Sequence, residues 1–157
     1  MTYITFIDSP MGKIGVAAAD GRLTRIFFDI SGLPDRWQRK DDEPTLTAAA
    51  KQLTEYFNGA RQAFELPVTL DLTEFERRVL AQTAEIPCGE TMTYGQLAAA
   101  LGKPGAARAV GNALRKNPLP IVIPCHRVVG ANGALTGYAY GLQRKQFLLA
   151  HEKKFLP

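Results

Sequence analysis

The sequence predicts an α+β protein, with a small mixed α/β unit over residues 1–70 and a mainly helical unit over residues 71–157. Three observations carry this. Short strand-like runs punctuated by turn residues fill the first thirty positions. Helical spacing with repeated N-cap signals dominates after residue 70. The charge divides there too: residues 1–70 hold 8 Lys+Arg and 9 Asp+Glu, whereas residues 71–157 hold 11 and 6. A chain of 157 residues, 46% hydrophobic and 22% charged, can bury one medium core or two small ones. That composition excludes disordered, collagen-like and low-complexity classes. No apolar run approaches the roughly 18 residues of a membrane span. The first ten residues lack the basic-then-apolar order of a signal peptide. Two cysteines, Cys88 and Cys125, favour a reducing cytoplasmic home over a disulfide scaffold.

Tyr3–Ile7, Lys13–Ala18 and Leu23–Phe28 read as strands. Asp20-Gly21 is a two-residue hairpin signal between the last two. Ser31–Pro44, with Gly32, Pro34 and Asp41-Asp42-Glu43, reads as a loop. Leu46, Ala50, Leu53 and Phe57 recur at helical spacing, and Asn58-Gly59 stops that helix. Phe64–Leu70 is compatible with one more strand.

In the second half, Thr73 with Glu76 fits a capping box, with Phe75, Val79 and Leu80 facing inward. That helix ends before Pro87. Thr93 with Gln96 repeats the box, and Tyr94, Leu97, Ala98 and Leu101 form the next stripe, closed by Gly102. Pro104 suits the first turn of a further helix running to about Lys116, which Asn117-Pro118 closes. Helix, short glycine turn, helix matches both a helix-turn-helix and a plain αα-hairpin.

From Thr91 onward nine bases face one acid, Glu152. Such an excess attracts polyanions, and by charge alone a nucleic-acid partner and a solubilising face fit equally. The second of the paired helices begins Gly105-Ala106-Ala107-Arg108-Ala109. Small side chains allow close backbone approach but carry almost no base-reading hydrogen bonds. On DNA this helix would bind with little sequence preference, with Arg108 as a wedge or stand-in for an extruded base. Packing of the alanines against another helix explains them equally.

Ile121–Val129 is the most informative stretch, an apolar run entering Pro124-Cys125-His126-Arg127. Cysteine reacts as thiolate, so it needs a base. His126 is adjacent, and Glu152 is the one acid available to orient it. On an extended segment the two side chains diverge, which favours a bridging water over direct contact. A buried core cysteine is the structural alternative. Cys88, His126 and His151 add no recognisable zinc spacing, and no metal is expected. Cys88 reads as a packed turn residue.

Pro124-Cys125-His126-Arg127-Val128-Val129 resembles the active-site motif of the methylated-DNA–protein-cysteine methyltransferases, the 6-O-alkylguanine-DNA alkyltransferases. Tyr94–Ala98, Pro104–Gly111, Asn117-Pro118, Gly137-Tyr138 and Leu148–Glu152 are similar to the same family. The resemblance spans about Thr73–Glu152, and the N-terminal half is similar only in its order of elements. It implies a ribonuclease-H-like N-terminal domain and a winged-helix-like C-terminal domain with a helix-turn-helix. It also implies minor-groove binding of duplex DNA and flipping of the damaged guanine. The alkyl group of 6-O-methylguanine, and of 4-O-methylthymine, would pass irreversibly to Cys125, once per molecule.

By the same resemblance, His126 would act as base through a water and Glu152 would orient it. Tyr94 would place its hydroxyl near the guanine ring nitrogen, and Asn117 would tie the cysteine turn to the recognition helix. Arg108, Ala106, Ala107, Thr93 and Arg115 would contact DNA. Leu114, Pro120, Val128, Tyr138 and Ala139 would line the base pocket. Tyr140 stands where many relatives carry Gly or Trp, and would narrow that pocket. No cofactor is implied, the partner is double-stranded DNA containing alkylated guanine, and a cytoplasmic monomer without membrane contact is expected. Residues 1–87 contain neither Cys nor His, so the zinc site of some members should be absent. A non-catalytic binder of alkylated guanine and a redox-sensing winged-helix regulator are the rival functions.

Overall fold

The computed structural model describes residues 1–155 and divides the chain into two units, Met1–Leu70 and Asp71–Pro157. In the first unit, strands β1 (Thr2–Ser9), β2 (Gly12–Ala19), β3 (Arg22–Phe27) and β4 (Gln38–Arg39) form one sheet in the order β3-β2-β1-β4. The first three pair antiparallel as a meander, and β4 joins β1 in parallel. Asp20 and Gly21 take φ of 53° and 72°, the left-handed pair that a tight hairpin turn of this hand requires. β4 lies inside the stretch expected to be loop. Its two exposed polar residues carry no alternation that could announce a strand.

Helix α1 (Pro44–Phe57) packs on β1, β2 and β3. The Glu43 carboxylate caps it by accepting from Leu46 N at 2.9 Å. Its buried face is Thr45, Leu46, Ala49, Gln52, Leu53 and Tyr56. Ala49 and Tyr56 thus replace the expected Ala50 and Phe57, a rotation of one residue about the helix axis. The buried Tyr56 ring meets Phe57 and Phe64 at 5.2 and 5.7 Å. Phe64–Leu70 forms only a single bridge, Val68 to Leu23. Pro67 accepts from Leu23 N there but has no N–H to return. A second apolar cluster, Ile4, Ala17 and Phe27, is covered by Phe6, Leu33 and Trp37.

The second unit contains α2 (Glu74–Ala84), α3 (Tyr94–Ala100), α4 (Ala107–Leu114) and α5 (Leu142–Lys153). It also holds a short parallel pair, β5 (Met92–Thr93) with β6 (Val128–Val129). Both capping boxes form, at Thr73–Glu76 and at Thr93–Gln96. Val79, Leu80, Leu97, Ala98, Val110 and Ala113 are buried where α2, α3 and α4 pack together. α3 and α4 are the two paired helices expected, in contact with each other across the Gly102 turn. α4 is shorter than expected at both ends. Pro104 occupies a turn closed by Ala106 N donating to Lys103 O at 2.9 Å, so the helix starts after it, at Ala107, and it ends at Leu114. No helix among the described residues is long and apolar enough to cross a membrane.

Gly15 tests the sheet. The Phe27 ring lies over it so closely that a Cβ there would meet the ring at 2.1 Å. Gly15→Ala should displace Phe27 from Trp37, its partner at 6.1 Å, and destabilise the first unit by about 1–3 kcal/mol. Urea unfolding followed by the fluorescence of Trp37 measures it, and unchanged stability would show that the ring yields freely.

Candidate active site

The cysteine is presented by a tightly tied loop. Asn117 is buried, its Nδ2 donating to Ile123 O and its Oδ1 accepting from Leu119 N, both at 2.9 Å. The Tyr140 hydroxyl donates to the Asn117 carbonyl. Ile121 is forced to φ 74°, a conformation that β-branched residues avoid and that only a strongly determined loop maintains. Cys125 N then donates to Ile123 O at 2.8 Å, folding the chain tightly around Pro124. Cys125–Arg127 forms a 3-10 turn with all three residues buried. The segment is therefore not extended as expected. Successive side chains diverge by about 120° on such a turn.

Beneath the turn lies a buried ionic cluster. Glu152 Oε2 accepts from His126 Nε2 at 2.7 Å, and the Arg127 guanidinium donates to Oε1 at 2.8 Å and Oε2 at 3.0 Å. Arg127 also donates to Ile86 O at 2.6 Å, just beyond α2. Burial alone would raise the Glu152 pKa, but the hydrogen bonds from His126 and Arg127 and the charge of the guanidinium hold it well below the usual carboxylate range. Burial pushes the His126 pKa down against the pull of Glu152, so the ring is neutral near pH 7. An ionised carboxylate can only accept, which places the imidazole proton on Nε2. Nδ1 is left as a buried acceptor with no hydrogen-bond partner among the described residues.

Burial also raises the Cys125 thiol, while hydrogen bonds from Asn117 and Tyr138 and the charge of Lys145 favour its thiolate. Cys88, half-buried in a turn near the same cluster, is pushed up to about 11 by burial.

Cys125, only 6% exposed, lines a cavity of about 360 Å³ between α3, α4 and the loop that precedes α5. The walls are Tyr94, Gly111, Leu114, Thr136, Gly137, Tyr138 and Ala139, with Ala107, Arg108, Asn112 and Arg115 also lining it. Arg108 is exposed. The Tyr94 hydroxyl points at the Thr136 and Gly137 carbonyls, at 3.0 and 3.4 Å, and burial raises its pKa.

Cys125, Tyr94, Leu114, Tyr138, Ala139, Ala107, Arg108 and Arg115 are thus brought together. Pro120 and Val128 are not in this wall. Pro120 is buried in the Asn117 loop, and Val128 is buried in β6 with its carbonyl bound by Lys145 Nζ at 2.6 Å. Thr93 spends its hydroxyl on Gln96 N, and Ala106 is the half-buried N-cap of α4. Tyr140 is not in the wall either. It backs the cavity by meeting the Tyr138 ring edge-on at 5.6 Å. Sequence reasoning missed the structural weight of Arg127 and Lys145, whose charged ends gave no sign of burial. Among the described residues no group of three or more His, Cys, Asp or Glu could hold a metal ion.

Comparison with known proteins places both units. Residues 2–70 match the ribonuclease-like domain, and residues 74–154 the DNA-binding domain, of 6-O-methylguanine DNA methyltransferase. The similarity therefore extends through the N-terminal half, beyond the motifs of the second. A methylated-DNA–protein-cysteine methyltransferase of Mycolicibacterium paratuberculosis is 45% identical over 96% of this chain and 92% of its own. A constitutive one from Bacillus subtilis is 41% identical over 98% and 96%. The crystal structure of Mycobacterium tuberculosis OGT in complex with DNA superposes with a TM-score of 0.89 at 41% identity, covering 99% of this chain and 95% of that one.

The buried cluster makes the second unit sensitive to acid. Glu152 and His126 both have folded pKa values below their unfolded values of 4.5 and 6.5. Their contribution is complete above the unfolded values and is lost as pH falls through the folded ones. Stability should therefore decline below pH 6.5, through His126, and further below pH 4.5, through Glu152. Urea unfolding at stepped pH, followed by amide NMR signals of α5, checks this, and a pH-independent midpoint would contradict it.

Proposed function

The chain belongs to the 6-O-methylguanine DNA methyltransferase family, which repairs DNA by alkyl transfer to a protein cysteine, and we propose that Cys125 is the acceptor. The substrate is duplex DNA carrying 6-O-methylguanine or 4-O-methylthymine, and each molecule acts once. The observation that carries this reading is Cys125 at the wall of a base-sized cavity, beside a neutral imidazole oriented by an ionised carboxylate.

A methyl group on a stacked guanine is out of reach of a buried sulfur, so the base must leave the stack. Arg108 then fills the gap left in the duplex, a role supported by its exposure at the cavity and by the small residues around it at the start of α4. The excess of bases after Thr91 supplies the attraction to phosphate. Once the base is seated, His126 Nδ1 draws the thiol proton, through one water. The sulfur attacks the methyl carbon; the S–C bond forms, the O–C bond breaks, and its electron pair stays on the purine. Tyr94, released from the Thr136 and Gly137 carbonyls, hydrogen-bonds a ring nitrogen and steadies the departing base. The thiol proton ends on the purine, so the buried site keeps its total charge. Asn117 acts earlier, by holding the loop that aims the sulfur.

The site is complete within one chain, which suits a monomer, and a free reactive thiol suits the reducing cytoplasm.

Incubation with an excess of duplex containing 6-O-methylguanine should add one methyl to the Cys125 peptide and nothing to Cys88, read by mass spectrometry. Cys125→Ala should abolish transfer. Transfer that survives, or an unmodified Cys125 with tight DNA binding, would overturn the acceptor assignment and favour a pure binder.

Arg108→Ala should slow repair in duplex by about tenfold to a hundredfold, since base extrusion costs a few kcal/mol. Reaction with the free modified base should be nearly unchanged. Equal losses on both substrates, read by single-turnover kinetics, would remove the gap-filling role.

A further inference from the structure

α4 and its C-cap carry one polar stripe on the face that meets the cavity. Arg108, Asn112 and Arg115 follow at spacings of four and three, which puts them on one side of the helix, and all three line the cavity. With a rise of about 1.5 Å per residue, Arg108 and Arg115 lie about 10 Å apart along the axis. Gap filling uses Arg108 and leaves Asn112 and Arg115 unused.

These two are exposed and tied to each other, Arg115 Nη1 donating to Asn112 Oδ1 at 3.3 Å. The guanidinium also reaches the opposite wall. A Cβ on Gly137 would lie 3.9 Å from Arg115 Nη2 and 4.0 Å from the Tyr94 hydroxyl. Arg115 therefore stands at the rim, between α4 and the loop that precedes α5.

Its charge is uncompensated there. Among the described residues no carboxylate pairs with Arg115, whereas the adjacent Lys116 is held by Glu76 at 2.7 Å. Asn112 is a neutral acceptor, so it aims the guanidinium and leaves its charge intact. One of the five N–H donors is spent on Asn112, and the rest of the planar fork is left for an anion with paired oxygens.

We propose that Asn112 and Arg115 form a phosphate clamp at the cavity mouth, in which Arg115 binds a phosphodiester flanking the everted nucleotide and Asn112 is its positioning residue. A base that enters the cavity brings its sugar to the mouth and its two phosphates to the rim, where a fixed cation meets one of them. The bound phosphate then holds the base inside while the sulfur reacts. This rests on a base entering the cavity of Cys125, but binding is measured without transfer. If methyl fails to reach Cys125 while the clamp is detected, the acceptor assignment falls alone.

The test uses duplexes with one 6-O-methylguanine and one neutral methylphosphonate linkage, placed either 5′ or 3′ to the lesion. Binding is followed by fluorescence anisotropy with full-length Cys125→Ala protein, which leaves the lesion intact. On the fully charged duplex, adding Arg115→Ala should weaken binding by about tenfold. At one of the two linkages, neutralisation should cost the Arg115 protein a similar factor and the Arg115→Ala protein almost nothing. Losses that simply add at both linkages would overturn the clamp.

Salt dependence separates the two residues. Arg115→Ala should lower the slope of log Kd against log salt by about 0.9, as for one lost phosphate contact. Asn112→Ala keeps the charge and should weaken binding about threefold at an unchanged slope. Asn112→Asp keeps the aim but cancels the charge, and should weaken binding as Arg115→Ala does. Unaltered binding by Asn112→Ala would remove the positioning role.

Discussion

One carboxylate organises the acceptor site. Glu152 comes from the last helix, receives His126 and Arg127 from the 3-10 turn, and is tied through Arg127 to the chain just after α2. Three separated stretches of sequence therefore converge on two oxygen atoms. A buried ion pair of this kind adds little net stability compared with apolar packing, because desolvation offsets most of the attraction. Its value is directional. An ionised Glu152 fixes the proton of His126 on Nε2 and leaves Nδ1 as an acceptor, the atom proposed above as the base. A neutral carboxyl could donate instead and would leave the tautomer undetermined. Arg127 keeps that carboxylate ionised, and so governs the imidazole without any direct bond to it.

The loop above this cluster solves a different problem. The sulfur must be buried enough to be shielded and exposed enough to meet a base. Prolines at 118, 120 and 124 restrict the chain, and Asn117 cross-links its two ends. The positive φ of Ile121 is strain that this cross-linking sustains. The result is a sulfur whose position is set in the free protein, so on the proposed function little ordering remains for the reactive step.

The parts legible in the sequence were those with local signatures. The Asp20-Gly21 turn, both capping boxes and the glycine after α3 name their own geometry, and each formed. The helix face of α1 was read one residue out because Ala50 and Phe57 are as apolar as Ala49 and Tyr56, so only packing distinguishes them. β4 was invisible because Gln38 and Arg39 pair along β1 without burying a side chain. At the site, Cys125, His126 and Glu152 were readable from chemistry and resemblance together. Lys145 was not, since among neighbouring bases Arg144, Lys153 and Lys154 it looked like part of a solvated face. Burial of its amine depends on three carbonyls, which belong to backbone and leave no trace in residue identity.

Damage occurs in any sequence context, so a repair protein gains nothing from a helix that reads bases. The small residues at the start of α4 and the single exposed Arg108 fit that demand, because shape and phosphate contacts bind all duplexes alike. On the proposed function, discrimination then lies in the cavity, where a base is tested by size and by the reach of its alkyl carbon to Cys125. The same division of labour accounts for the charge distribution. Cations that would attract phosphate lie on the surface, while Arg127 and Lys145 are withdrawn from water and held by fixed partners. Exposed cations are screened by salt and buried ones are much less so. Binding to DNA is therefore the salt-sensitive step, and the electrostatics of the transfer are set by the fold.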